Sequence, residues 1–518
     1  MDCGDTMGKE NSSTQIKSGA IISYIAIAFN ILSGLIYTPW MIGCIGQSEY
    51  GLYSAAVAFV SYFTVDFGLG SAITRFVSKY RAEGKEEEIQ KLLGVVYKLY
   101  FAIDIVIFVC LLICFCFINQ IFGKFTPEEI EKFRVVFVIM GGFTLLSFPC
   151  STFSGILTAY ERFKVQKISG LLGKVAIVLC MVVALSMGQG LYALVLVNVF
   201  SHLFVNLFRL FYLKHSLHIK VAWKCFDKKI LKDVFSFSLW ILVISLAERL
   251  VFNIEPTIIG AIAGTAAVSI FAVANTIEGY VWTFANALNS LFLPKVYRLS
   301  TADGEDRTRM NALLLRVGRI QMIIIAAIVF IFVSMGYEFV YLWLGDTYQS
   351  AYYVTVLMIL PSLILRTQDI AITLTLAENK VKIRAFSYII CAAINVILSF
   401  VLVPKWGALG AGISIFAGLV IGQVVIGHWI YSYILHLDMW SFYKNCQLTM
   451  LIPGAICMVA GFAVQYYMPS PNLLHFIVKG AAVAGVYILA VWFLYMNKEE
   501  KALFAGAVNK VLKKIIRK

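Results

Sequence analysis

The chain has 518 residues, 60% of them hydrophobic and 14% charged, with a formal net charge of +14. At a mean hydropathy of +0.83 it lacks the polar surface that a water-soluble chain of this length needs. The excess of Lys and Arg does not point to nucleic acid, because the basic residues are spread along many loops rather than gathered on one folded face.

In chain order, a polar segment over 1–17 comes first, and it has no signal-peptide core or cleavage site. About fourteen apolar runs of membrane-spanning length follow. They lie at 18–45, 51–77, 92–118, 134–159, 167–187, 190–213, 234–262, 266–293, 315–337, 350–377, 384–404, 407–435, 446–468 and 474–497. These runs are longer than barrel strands and apolar on all sides, so the expected fold is an all-α polytopic membrane protein. The last segment, 498–518, places Phe504, Val508, Val511 and Ile515 at helical spacing opposite Lys510, Lys513, Lys514 and Lys518. That pattern fits a basic amphipathic helix on the inner leaflet, or else a solvated tail.

Arg75, Lys79, Arg81 and Lys85 mark the second loop, Arg162 and Lys164 the fourth, and Lys214 to Lys232 the sixth. Arg307, Arg309 and Arg316 mark the eighth, and Lys380, Lys382 and Arg384 the tenth, whereas the odd-numbered loops are nearly free of Lys and Arg. By the positive-inside rule the even loops and both termini are cytoplasmic. The third loop is the exception, mixing Lys124 and Lys132 with Glu128, Glu129 and Glu131. The cysteines lie mostly inside the runs with no metal-ligand spacing, so they read as packing residues and no metal or cofactor is expected.

Sliding the chain against itself gives an internal repeat at an offset of 217 residues. Pro39-Trp40-Met41-Ile42-Gly43 falls on Pro256-Thr257-Ile258-Ile259-Gly260, Leu157-Thr158-Ala159-Tyr160-Glu161 on Leu374-Thr375-Leu376-Ala377-Glu378, and Gly190 on Gly407. The domain reading is therefore a cytoplasmic tail (1–17), an N-lobe of six helices (18–213), a cytoplasmic inter-lobe loop (214–233), a C-lobe of six helices (234–435), two extra helices (446–497) and the basic tail (498–518). Because six is even, the lobes are related by a pseudo-twofold axis along the membrane normal, an arrangement that suits a central cavity and alternating access.

Ionisable residues inside the runs each cost about 2.5–3.5 kcal/mol at a helix centre, so they call for partners or a wet cavity. Arg249, Arg366, Lys98 and Lys174 are candidates to hold an anionic phosphate group. Glu248, Glu255, Asp369, Asp66 and Glu278 are candidates to bind a coupling Na⁺ or H⁺. Neutralising pairs that pin helix packing are the alternative, with Glu248 beside Arg249 and with Arg366 and Asp369 at i,i+3; Glu248 and Glu255, seven apart, are expected to share a helix face. Pro149 and Pro361 interrupt the fourth and tenth runs, and Pro39 and Pro256 are repeat-related; all four are hinge candidates.

Lys17-Ser18-Gly19-Ala20, Tyr37-Thr38-Pro39, Glu49-Tyr50-Gly51-Leu52-Tyr53 and Asp66-Phe67-Gly68-Leu69-Gly70 with Arg75 resemble the opening of the bacterial polysaccharide exporter family. That family holds the flippases for lipid-linked O-antigen and exopolysaccharide repeat units, within the superfamily of the MATE exporters and lipid II flippases. The resemblance implies a MATE-like fold and a non-enzymatic flippase of polysaccharide and lipopolysaccharide biosynthesis. Its cargo would be undecaprenyl-pyrophosphate-linked oligosaccharide, carried across the bacterial cytoplasmic (inner) membrane, with membrane lipids and the polysaccharide polymerase machinery as the partners the resemblance implies. A MATE-type cation-coupled multidrug antiporter is the alternative within transport. A membrane glycan polymerase or ligase is the alternative from another class, although such enzymes carry a large outer loop and every outer loop here is short. No P-loop is present.

Overall fold

The computed structural model describes residues 12–64, 67–223, 227–301, 307–378, 380–470, 472–502 and 505–506. Most of the amphipathic tail and the first eleven residues thus lie outside the described residues, as does Asp66. Among the described residues the chain is helical and carries no strand.

The helices follow the apolar runs in order. They are α1 (Ser12–Ile45), α2 (Gln47–Ser61), α3 (Leu69–Ala82), α4 (Glu86–Ile121), α5 (Pro127–Ser147), α6 (Thr152–Ala159), α7 (Phe163–Ser186) and α8 (Leu191–His215). Next come α9 (Lys228–Phe252), α10 (Glu255–Ala263), α11 (Thr265–Thr301), α12 (Arg307–Leu344), α13 (Ser350–Ile359), α14 (Ser362–Leu365), α15 (Asp369–Ala377) and α16 (Val381–Trp406). The last are α17 (Ala408–Leu419), α18 (Ile426–Trp429), α19 (Met439–Tyr443), α20 (Thr449–Tyr467) and α21 (Leu473–Ala490). Among the described residues 11 segments are long and apolar enough to cross a membrane, or 12 if α2 and α3 form one bent span. The seventh and eighth predicted runs are helical as α9, α10 and α11.

Apolar side chains face outward while polar ones are hidden, the reverse of a soluble protein. Ile36 is 75% exposed and Phe493 72%, whereas Glu255 and Gln321 are 0% exposed. Such a surface is stable against lipid and unstable against water.

The repeat is visible in the backbone. The fourth span is interrupted by a 3₁₀ turn over Phe148–Ser151 before α6, and the tenth by one over Arg366–Gln368 before α15. Pro149 lies inside the first of these turns, and Pro361 caps α14 just ahead of the second. The remaining hinge candidates separate: Pro256 opens α10 after a break in the seventh span, but Pro39 sits inside an unbroken α1. A proline near the end of a long helix costs little when its neighbours already hold the backbone.

Contacts divide the chain into two compact units, Met1–Ala272 with Tyr388–Ser414, and Val273–Ser387 with Ile415–Lys518. In the first, α7 packs between α1 and α8, and Phe122, Phe133 and Phe137 form an aromatic core with Phe59. In the second, α12 is the central post, with α20 and α21 packed along it.

Candidate functional site

In the first unit, polar groups gather where the seventh span breaks. Pro256 has no N–H to continue the α9 ladder, so the chain turns at Asn253 and Ile254 and restarts as α10. Glu255 is the first residue of α10, at that helix's positive end. Its Oε1 accepts a hydrogen bond from Ser399 Oγ at 2.7 Å. Asn395, one turn before Ser399 on α16, faces the same carboxyl, and its Nδ2 donates to the Val251 carbonyl at 3.2 Å. Glu255 Oε2 and Asn395 Oδ1 are buried and have no hydrogen-bond partner. From the other side, Tyr62 Oη donates to the Asn253 carbonyl at 2.7 Å and lies 3.1 Å from Thr257 Oγ1. Arg249 is half-buried one turn before Asn253.

The break corrects one expectation. Glu248 and Glu255 share no helix face, because they belong to different helices, α9 and α10. Regular spacing fixes a face only while the helix continues.

At the end of the same unit predicted to face outward, three helices begin around one carboxylate. Gly46 and Gly264 take φ of 83° and 82°, a left-handed geometry suited to glycine, and α2 and α11 start directly after them. Glu129 Oε1 accepts from Ser48 Oγ of α2 at 2.5 Å and from Thr265 Oγ1 of α11 at 2.7 Å. Its Oε2 accepts from the Thr126 amide at 2.9 Å, completing the capping box of α5. Three positive helix ends thus surround one negative group. Ser48 and Thr265 lie 217 positions apart, with their hydroxyls 3.3 Å from each other. Beside them, Glu49 pairs with Lys132 at 3.0 Å and accepts from the first amide of α8, Leu191, at 3.3 Å.

In the second unit, the 3₁₀ turn of the tenth span carries Arg366, and Asp369 opens α15. Asp369 is 4% exposed, with Arg366 and Arg384 as the cations nearest it in effect. Glu278 on α11 is half-buried and faces Arg366 as well. Arg366 Nε and Asp369 Oδ2 are buried atoms without a hydrogen-bond partner. The structure therefore gathers Arg366, Asp369 and Glu278 into one charged group. Lys98 is half-buried on α4, and Lys174 is exposed on α7, where its Nζ donates to Asn30 Oδ1 of α1 at 3.1 Å.

Sequence reasoning missed Tyr62, Asn395, Ser399, Ser48, Glu129 and Thr265. Asn395 and Ser399 sit at i,i+4 in an apolar helix, a signal that was present. Nothing in the sequence says which helix they face.

A family model described as "Polysaccharide biosynthesis protein" matches residues 16–295. An uncharacterized membrane protein of Methanocaldococcus jannaschii, MJ1068, is 20% identical over 503 residues, covering 92% of this chain and 93% of its own length. Among solved structures, the lipid II flippase MurJ in an inward closed conformation is similar with a TM-score of 0.70 at 14% identity, covering 92% of this chain and 99% of MurJ. An inward-facing multidrug resistance MATE family transporter gives a TM-score of 0.63 at 16% identity, covering 79% of this chain and 97% of its own. At these identities the likeness shows a common fold.

Proposed function

The chain belongs to the polysaccharide biosynthesis protein family, and we propose that it is a flippase carrying lipid-linked oligosaccharide, of the undecaprenyl-pyrophosphate type, across the cytoplasmic membrane. The observation that carries the transport reading is the pair of orphaned oxygens at the break of the seventh span, Glu255 Oε2 and Asn395 Oδ1. Each is a buried acceptor without a donor, an arrangement that costs free energy until a proton or cation satisfies it. A proton on Glu255 Oε2, or a Na⁺ bound beside it and the Ser399 hydroxyl, supplies the missing partner. Either way, binding draws α10 and α16 together at the freed carbonyls of α9, so ion occupancy biases the position of α10. Because α11 follows α10 after the single residue Gly264, the bias reaches the Glu129 cluster within a few residues.

Arg366 is the leading candidate to contact the pyrophosphate, since a guanidinium stays charged and its fork fits phosphate oxygens. Arg249 is the second. No bond in the cargo is made or broken in this scheme. Transport consists of exposing the site alternately to each side, with release of the Glu129 cluster as the outward-opening step.

The test is deletion in the native host with analysis of surface polysaccharide and lipid-linked intermediates, followed by complementation with Glu255→Gln. Loss of glycan with pyrophosphate-linked repeat units accumulating on the inner leaflet is the expected outcome, and the variant is expected to lose its dependence on Na⁺ or pH. Intact glycan with new sensitivity to cationic dyes would replace the flippase with a drug antiporter. An unchanged gradient response in Glu255→Gln would remove the coupling role.

A further inference from the structure

The last two helices have no counterpart in the repeat, yet they are fastened to the second unit more firmly than lipid-facing additions need to be. Among the described residues two ion pairs, both 10% exposed or less, tie α21 and the segment that follows it to α12. Lys479 Nζ of α21 meets Glu338 Oε2 at 3.0 Å, and Arg319 Nε meets Glu500 Oε1 at 2.6 Å. The Arg319 guanidinium also donates to the carbonyls of Asn445 and Tyr495 and lies 4.1 Å over the Tyr495 ring. Arg319 and Glu338 are separated on α12 by about 28 Å at 1.5 Å per residue, close to the thickness of a bilayer core. One pair therefore sits towards each face, and the hairpin can neither slide nor tilt on α12 without breaking one of them.

Held this way, the first of the two helices reaches the 3₁₀ turn of the tenth span. Gln368 Nε2 donates to Tyr443 Oη at 2.8 Å, and Gln447 Nε2 donates to Thr367 Oγ1 at 2.9 Å. Gln447 lies in a π-helical stretch, Lys444–Leu448, whose wider turn is a local departure of the kind that re-aims side chains. Gly318 of α12 leaves room for the contact, since a Cβ there would fall 2.6 Å from the Phe442 ring and 2.8 Å from the Thr367 carbonyl oxygen. Thr367 and Gln368 are the two residues between Arg366 and Asp369. A 3₁₀ turn advances about 120° per residue and an α-helix about 100°. Relaxation of this turn to α geometry would swing Arg366 by roughly 60° relative to Asp369 over three residues.

We propose that the helix carrying Tyr443 and Gln447 positions the Arg366–Asp369 turn, so that the C-terminal hairpin sets the affinity of that turn for the anionic headgroup of the cargo. The proposal rests on the reading of Arg366 as the headgroup contact. Tyr443 and Gln447 act through Gln368 and Thr367 and are positioning residues.

The test uses the full chain in proteoliposomes with a fluorescent polyprenyl-pyrophosphate-linked N-acetylglucosamine as probe, comparing wild type with Tyr443→Phe and Gln447→Met. Each variant is expected to raise the half-saturating probe concentration about 3- to 10-fold, the effect of one lost hydrogen bond, while the maximal rate and the melting temperature hold. Amide hydrogen exchange over residues 363–371 is expected to quicken while exchange in α5 and α6 stays constant. Wild-type half-saturation and wild-type exchange in both variants would overturn the proposal and leave the flippase reading standing. If wild-type protein moves no probe, the flippase reading fails, and the exchange measurement alone decides whether the hairpin holds the turn. Tyr443→Phe removes only a hydroxyl and carries the test if Gln447→Met does not fold.

Discussion

Replacing Gly51 with Ala should force open the outer end of the first unit. A Cβ on Gly51 would lie 2.0 Å from the Thr265 carbonyl oxygen and 2.8 Å from its carbonyl carbon, so α2 and the start of α11 must separate by about 1 Å or more to restore contact distance. The obstructing atoms are backbone and cannot rotate away. Overpacking of this kind costs about 1–3 kcal/mol. The same displacement strains the bonds from Ser48 and Thr265 to Glu129, and a hydrogen bond to a charged group is worth about 1.5–3 kcal/mol. Taking the lower end of each range, the closed outer end loses about 2.5 kcal/mol, roughly a 70-fold shift toward separation. The assay is labelling of an Ala55→Cys reporter by a membrane-impermeant maleimide from outside, in a background lacking the native cysteines. Ala55 is fully buried one turn beyond Gly51, so labelling should be slow with Gly51 and tens of times faster with Gly51→Ala. Equal labelling rates in the two backgrounds, at equal protein level, would refute the idea that the α2–α11 contact closes the outer end.

Glu129→Gln keeps the shape of the side chain but removes the charge at the three helix starts, so the same reporter should label faster, by about tenfold for one weakened charge-assisted bond; an unchanged rate would mean that packing alone holds the cluster. Lys479→Met leaves the buried Glu338 carboxylate without its ion partner and should destabilise the second unit by about 3–5 kcal/mol. A thermal-shift measurement should show the loss, with partial recovery in the Lys479→Met/Glu338→Leu double variant, and a wild-type melting temperature in the single variant would contradict this. At the predicted cytoplasmic end, burial works to raise the pKa of Glu378, but hydrogen bonds from Arg307 and Lys380 outweigh it and hold the carboxyl below its ordinary value. A lowered folded-state pKa gives stability that is present above the ordinary carboxylate value and is lost as pH falls through the folded one. Wild type should therefore lose thermal stability on acidification through that range, while Glu378→Gln should be less stable at neutral pH and flatter with pH.

The sequence by itself determined the membrane class, the helical order, the repeat and the alternation of loop charge. Each of these is a local or periodic property: a run of apolar residues long enough to cross lipid reads the same whatever packs against it, and an offset of 217 is arithmetic on the chain. It also located Glu255, Asp369, Arg249 and Arg366, because a charge inside an apolar run stands out against its neighbours. Tertiary structure alone decided which of these groups meet. The break at Asn253 put Glu248 and Glu255 on separate helices, a result that depends on Tyr62 and Asn395 capturing the freed carbonyls as much as on Pro256. Glu129 reads as one more acid in a charged loop until α2 and α11 bring Ser48 and Thr265 to it. Tyr443, Gln447 and Gln368 give no warning at all, since neutral polar residues are common near helix ends and only the packing of the hairpin on α12 aligns them. A buried polar group gains its meaning from the partner that satisfies it, and that partner is chosen by the folding of the chain, over separations that periodicity does not reach.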